Sequence, residues 1–422
     1  MRTARTLKVL GAAELAAIAL FWSAGSSAPV TAAAAPTFTK DVAPILYKSC
    51  VECHRQTGMA PMALMTYEDA RPWARAIKQK VTSREMPPWG ADPTVGKFEN
   101  DISLSPAEIA TVAAWVDGGA AEGSKADLPK APVFAEGWSI GKPDMVFKMP
   151  IPVSVPADGV VPYTYVTIPM NLKEDIWIRG VELKPTDRRV VHHIIGDLVS
   201  GTPTDLTPKP TRDRALTEIG GIGGLVPGRL YGLFEEGVAR KIPAGSSIVL
   251  QMHYTTIGQP ITDQTEVGVV ITKEAPAKLR QAGGGQMPNT SFVIPPGDPS
   301  YEVSAKTVFQ KDTYLSGLYP HMHVRGKDVI YKAIYPDGKE EVLLSVPKYD
   351  FNWQTSYKLA TPKFMPKGTT LMVVAHSDNS TGNRFNPDPK SEVRWGDQTW
   401  EEMLIGYYNT IDNPPSANSQ QQ

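Results

Sequence analysis

From Met145 onward, short apolar runs alternate with clusters of Pro, Gly, Asp and Asn. That punctuation marks many short strands. The runs rich in Val, Ile, Tyr and Leu predict strands over Tyr163–Ile168, Asp175–Leu183, Ser246–Tyr254, Val267–Ile271, Asp328–Tyr335 and Thr370–Ala375. No long helical periodicity interrupts them, so this half reads as one or two antiparallel sandwiches. Upstream the period changes. Thr39 to Ser49 carries Val42, Ile45 and Leu46 at helical spacing. Ser105-Pro106-Ala107-Glu108 is a capping box with proline at the first helical position. Ile109, Val112, Ala113 and Val116 then share one face, and Gly118-Gly119 ends the helix. Residues 125–142, rich in Ala and Pro at their start, read as a linker.

The chain has 422 residues, enough for two or three domains. Its formal net charge of −1 gives no basic patch for nucleic acid. The 35 glycines and 38 prolines fit turns better than long helices. No apolar run reaches the roughly 18 residues of a membrane span. The N-terminus reads as an export signal over residues 1–35. Arg2, Arg5 and Lys8 give the charged start, Val9 to Trp22 is mostly apolar apart from Glu14, and Thr31 to Ala35 offers small residues for cleavage. An uncleaved anchor is the competing reading, and the apolar stretch is short for one. The mature chain is therefore expected in a bacterial periplasm, with no transmembrane span. Residues 414–422 read as a disordered tail.

Only two cysteines occur, both in Cys50-Val51-Glu52-Cys53-His54. C-x-x-C-H is the attachment signature of c-type haem. Two thioethers fix the porphyrin, and the histidine becomes the proximal iron ligand. A redox dithiol leaves His54 unexplained. A zinc site needs further Cys or His ligands, and none lies between His54 and His192. The sixth ligand is expected to be a methionine among Met59, Met62, Met65 and Met86. Met86, before Pro87-Pro88, is favoured over Met62. Helix, haem motif, loop and helix together resemble a small all-α class I cytochrome c domain over residues 36–124.

Seven histidines occur, and six fall in four short motifs. Besides His54 these are the adjacent His192 and His193, His253 after an apolar strand, and His321-Met322-His323. In an extended chain residues two apart point the same way, so His321 and His323 can reach one ion. Adjacent strand residues face opposite sides, so His192 and His193 can share a metal only if the backbone kinks.

These residues resemble the copper type II, ascorbate-dependent monooxygenases, the family of peptidylglycine α-hydroxylating and dopamine β-monooxygenases. The resemblance covers Pro143 to Asp412. It implies two antiparallel β-sandwich, jelly-roll-like domains, over 143–283 and 284–413. It implies one copper on His192, His193 and His253, the last in Leu250-Gln251-Met252-His253-Tyr254. It implies a second, catalytic copper on His321, His323 and Met403, the last in Thr399-Trp400-Glu401-Glu402-Met403. Imidazoles with a thioether suit copper that cycles through Cu(I). Zinc is possible at a three-histidine site but leaves the methionine unexplained.

There are departures. Tyr319 stands where the peptide-amidating members hold a substrate carboxylate with Arg, and Ile405 stands where they carry Asn, although Tyr407 is kept. A family cysteine pair is replaced by His376 and Leu404, and His376 is left without a role. The reading that follows is a periplasmic copper monooxygenase. It would hydroxylate a C–H bond of a small molecule with O2, with electrons entering through one covalent haem c from a periplasmic donor. The alternative is a haem and copper electron-transfer or copper-handling protein that hydroxylates nothing.

Overall fold

The structure is a computed structural model describing residues 35–56, 58–134, 137–213, 215–226, 231–274 and 279–412. The expected export signal, except for Ala35, and the expected tail lie outside the described residues. All six expected strands form, within a residue or two at most ends: Thr164–Pro169, Ile176–Lys184, Ser246–Tyr254, Glu266–Ile271, Gly326–Ile334 and Thr370–Ser377. Thr370–Ser377 illustrates why. Its Leu371, Val373 and Ala375 are fully buried while the residues between them are not. That period of two gives one face to a core and one outward. Each such Leu or Val contributes about 1.5–3 kcal/mol by its burial.

Among the described residues the strands assemble into one large sheet, two four-stranded sheets and two two-stranded ones. The large sheet has nine strands. Its central Arg280–Asn289 strand pairs in parallel with Val238–Ile242 on one side and antiparallel with Leu404–Ile411 on the other. One four-stranded sheet runs Thr164–Pro169, Ser246–Tyr254, Val191–Ser200, Thr217–Leu225. The other runs Tyr301–Val308, Thr370–Ser377, Gly326–Ile334, Glu340–Val346.

This architecture corrects the expected fold class, a small all-α cytochrome c domain followed by two separate sandwiches. Strand makes up 39% and helix 13%. The helices are short, the longest being Pro106–Asp117 with 12 residues. The described residues from Pro36 onward form one compact unit. The physical reason is shared packing. Residues 89–100, placed by the sequence in the helical domain, cover the C-terminal β half. Ala91 belongs to its core, and Trp89 packs edge-on against Tyr357 with ring centres 5.0 Å apart. Glu99 N–H donates to the Lys358 carbonyl at 2.8 Å, and Ala360 N–H to the Lys97 carbonyl at 2.9 Å. Phe98 bridges to Leu359 on the last strand of the large sheet, which blunts an edge that otherwise exposes backbone groups. The continuous large sheet likewise spans the boundary expected at 283/284.

The expected linker is also tied down. Ile140 N–H donates to the buried Glu182 carboxylate at 3.0 Å. The Trp138 ring lies over Gly268, where an added Cβ would come within 2.7 Å of it. No helix among the described residues is long and apolar enough to cross a membrane.

Candidate metal centre

The adjacent histidines needed a kink, and the structure has one. Val191 pairs with Tyr254 and His193 with His253, so the register shifts between Val191 and His193. His192 is the extra residue of a β-bulge, and a bulge re-aims a side chain. The rings of His192, His193 and His253 therefore converge. Their centres lie 5.3, 4.9 and 4.9 Å apart, pair by pair. One ligand atom from each lies within 4.8 Å of the others. The two Nδ1 atoms of His192 and His193 are 3.1 Å apart. Nitrogens about 2.0–2.1 Å from one tetrahedral ion would be about 3.3 Å apart, so this spacing fits shared ligation.

The second set forms at the end of Thr313–Met322, where His321 pairs with Ile405 and Met322 with Leu404. Continuing that register places Met403 opposite His323. The His321 and His323 rings are 5.3 Å apart. Glu402 fixes the backbone here. Its carboxylate, 1% exposed, accepts from the N–H groups of His323, Arg325 at 3.0 Å and Met403 at 2.9 Å. Burial pushes the Glu402 carboxyl up to about 7 despite these three bonds.

The two sets meet. The His193 and His321 rings are only 6.3 Å apart, so five histidines form one cluster at the join of the two β halves. Phe351 stacks on His192 at 5.4 Å and also touches His193, His253 and His323. Tyr163 packs against His193, His253 and His323. His193, His321 and His323 are fully buried, while His192 and His253 are half-buried.

Burial is the first cause of lowered proton affinity in every ring. It brings His253 down to about 3 and His192 and His321 to about 4, with His193 and His323 well below the usual range. Neutral imidazole is the metal-binding form. Several ring nitrogens are buried with no hydrogen-bond partner: Nε2 of His192 and His193, Nδ1 of His253 and both of His323. The backbone of Glu401 and Gln398 lies beside the His323 ring. Buried unpaired nitrogens are costly, and a soft or borderline cation would satisfy one nitrogen of each ring it binds. This donor set fits copper.

Gln354, fully buried, joins the sets and has no sequence motif to announce it. Its Oε1 accepts from His321 Nδ1 at 2.6 Å and from the Tyr319 hydroxyl at 3.0 Å. Its Nε2 lies 3.4 Å from His193 Nδ1. A carbonyl oxygen only accepts, so His321 carries its proton on Nδ1 and leaves Nε2 for a metal. Removing such a partner usually costs 10–100-fold in metal affinity. Gln354→Leu is expected to weaken copper binding at His321 and His323 by about that factor, read by competitive titration with a Cu(I) chelator. Unchanged affinity would show that Gln354 orients neither ring.

The haem motif sits at the end of Ala43–Ser49, with Cys50 as the cap and His54 N–H bonded to the Cys50 carbonyl at 2.9 Å. His54 Nδ1 donates to the Met62 carbonyl at 3.1 Å, which leaves Nε2 free to bind a metal. Burial pushes the Cys50 thiol up to about 12, and Cys53 is also raised. Redox dithiols work through lowered thiols, so these cysteines fit thioether attachment better than dithiol exchange. Met62 is half-buried and packs against the helical core. Met65 offers its carbonyl to the Tyr47 hydroxyl, and Met59 sulfur lies 3.8 Å from Arg188 Nη2. Met86 is half-buried, with its N–H bonded to the Lys80 carbonyl at 3.2 Å.

His376 stands apart on Thr370–Ser377, with Nδ1 2.6 Å from Asp328 and Nε2 3.7 Å from Glu302. It contributes nothing to the cluster.

No protein-family model matches the chain, and no curated protein matches it. Solved structures it is similar to include the STIV MCP, at 8% identity over 66% of this chain and 97% of that one, with a TM-score of 0.25. Another is the N-terminal CBM22-1-CBM22-2 tandem domain of Paenibacillus barcinonensis Xyn10C, at 8% identity over 59% of this chain and 83% of that one, with a TM-score of 0.17. An allantoicase gives 11% identity over 52% and 78%, with a TM-score of 0.16. Likeness at this level carries no argument about function.

Proposed function

We propose that this chain is a periplasmic copper-dependent monooxygenase that hydroxylates a C–H bond of a small molecule, with electrons entering through a c-type haem. The overall change is R–H + O2 + 2e⁻ + 2H⁺ → R–OH + H2O. The observation that carries the proposal is the convergence of five histidines from three distant motifs, with buried ring nitrogens left unpaired. Bound copper supplies O2 activation and one-electron storage, and bound haem supplies one-electron transfer.

His192, His193 and His253 would hold one copper, and His321, His323 and Met403 the other. Cys50 and Cys53 would fix the haem, and His54 and Met86 would hold its iron. The protein's own work is orientation and exclusion of water. Gln354 sets the His321 tautomer. Glu402 holds the backbone of His323 and Met403 in register. Phe351 and Tyr163 seal the rings on one another. Tyr319 and Tyr407 stack at 5.3 Å, with Tyr319 bonded to Gln354. An aromatic pair at that position favours an uncharged substrate over a peptide carboxylate.

The exported protein is expected to hold one iron and two coppers. With a one-electron donor it should consume O2 in step with hydroxylated product when offered a panel of C–H substrates. In stopped flow, reduced haem should reoxidise when the copper-loaded protein meets O2 and substrate. A trace with no haem reoxidation would sink the electron route. Electron exchange without any coupled product, retained in His321→Ala, would instead mark a carrier.

A further inference from the structure

Arg188 lies where the haem motif meets the first ligand set. It opens the short 3-10 turn Arg188–Val190, just before the Val191–Ser200 strand that carries His192. Its Nη1 donates to the Val191 carbonyl, one residue before His192. Its Nη2 reaches Met59 sulfur in the loop after the haem motif. Its Nε is buried with no partner.

The neighbouring carboxylates are committed elsewhere. Asp187 caps the turn and binds Arg189, at 2.6 Å. Glu52 pairs with Arg55 at 3.4 Å. Among the described residues no carboxylate pairs with Arg188. Burial pulls its affinity for the proton down to about 10, and the one group acting the other way is Cys53. Burial raises that thiol above its ordinary range, so it is uncharged at neutral pH, and thioether formation would keep it so. A guanidinium cannot shed its charge at neutral pH, and burying one without a counter-ion costs several kcal/mol. Thioether sulfur is a weak acceptor and does not offset this cost.

We propose that Arg188 is the counter-charge for a carboxylate side chain of the attached haem, and that this pair holds the haem against the His192 ligand loop. The inference rests on the haem reading above. The arginine fork matches a carboxylate bidentately. The haem supplies carboxylates in its propionates, and Arg188 already spans from the haem loop to the bulge. Arg188 is then a positioning residue. Its positive charge also favours the ferrous over the ferric haem.

The test is the haem midpoint potential by redox titration of the full chain, in wild type, Arg188→Met and Arg188→Lys. Covalent haem is first counted as the pyridine haemochrome. Arg188→Met is expected to shift the equilibrium at least tenfold toward ferric haem, which is 59 mV for one electron. Arg188→Lys, which keeps the charge, should stay within threefold of wild type. An unchanged potential in Arg188→Met overturns the proposal. Equal shifts in both variants also overturn it, because they would mark a packing role without a role for charge. Should Arg188→Met fail to take up haem, resonance Raman of the wild type decides. Propionate bending modes of a hydrogen-bonded carboxylate support the pair, and modes of a free one overturn it. Wild-type protein without covalent haem would remove the haem reading itself, an outcome distinct from all of these.

Discussion

Stripped of metal by a chelator, the protein is expected to unfold near pH 5, while the copper-loaded form stays folded there. The cause is the five-histidine cluster. In the unfolded chain each histidine takes up a proton near pH 6.5. In the folded chain burial delays that to about pH 4 or below for His192, His253 and His321, and further for His193 and His323. Below pH 6.5 the unfolded state therefore binds more protons, and stability falls with pH. Each ring contributes about 1.4 kcal/mol per pH unit, so five reach roughly 10 kcal/mol by pH 5.

Two carboxyls act the other way. Glu402 is raised to about 7 and Asp197 to about 6, both first by burial. Their cost to folding is largest above those values and fades as pH falls. They return roughly 3–4 kcal/mol between pH 7 and pH 5. The net loss of roughly 7 kcal/mol by pH 5 is comparable to the 5–15 kcal/mol that holds a whole domain. Bound copper opposes the loss because ligated rings do not protonate, and a ligand at a thousand times its Kd stabilises by about 4 kcal/mol. Circular dichroism against pH, with and without chelator, checks this. Equal acid resistance of both forms down to pH 4 would mean the rings are not buried neutral as the structure has them.

What could be read from the sequence follows contact range. The Ser105 cap depends on four consecutive residues, so it was legible. The cap forms as expected, with Ser105 and Glu108 bonded reciprocally. Strand positions were legible from a period of two. The assembly of strands was not. His193 faces His253 across a sixty-residue separation, and Arg280–Asn289 joins both halves into one sheet. No local period encodes such pairings, so the expected separate sandwiches gave way to a shared sheet. Residues 89–100 misled for the same reason, since Trp89 and Phe98 find their core partner at Tyr357. The five histidines that converge were singled out by motif resemblance, but the residues packed around them were not. Gln354, Phe351, Tyr163 and Arg188 sit in no motif. Each is an ordinary residue type whose role exists only once distant strands meet.

The second large effect falls on Glu402. Glu402→Ala is expected to destabilise the metal-free protein by about 3–9 kcal/mol, since three buried backbone N–H groups lose their acceptor, at about 1–3 kcal/mol each. Arg325 adds to this. It is 2% exposed, and its Nε and Nη1 are bonded to Asn379 and the Trp400 carbonyl, both neutral. Glu402 is the larger of two charges acting to keep it protonated, so the variant leaves a buried cation with only Asp388 to oppose its charge. Glu402→Gln keeps one acceptor oxygen and most of the shape, so it should lose less than half as much. The two variants also separate structure from ligation. His323 and Met403 hang on this carboxylate through their own N–H groups, so Glu402→Gln should fold yet bind the second copper more weakly, while the His192, His193 and His253 site keeps its affinity. Urea unfolding of the metal-free forms reads the first effect, and copper stoichiometry at low free copper reads the second. If Glu402→Ala unfolds at the same urea concentration as the wild type, the three-donor clamp is not what holds the Met403 strand end.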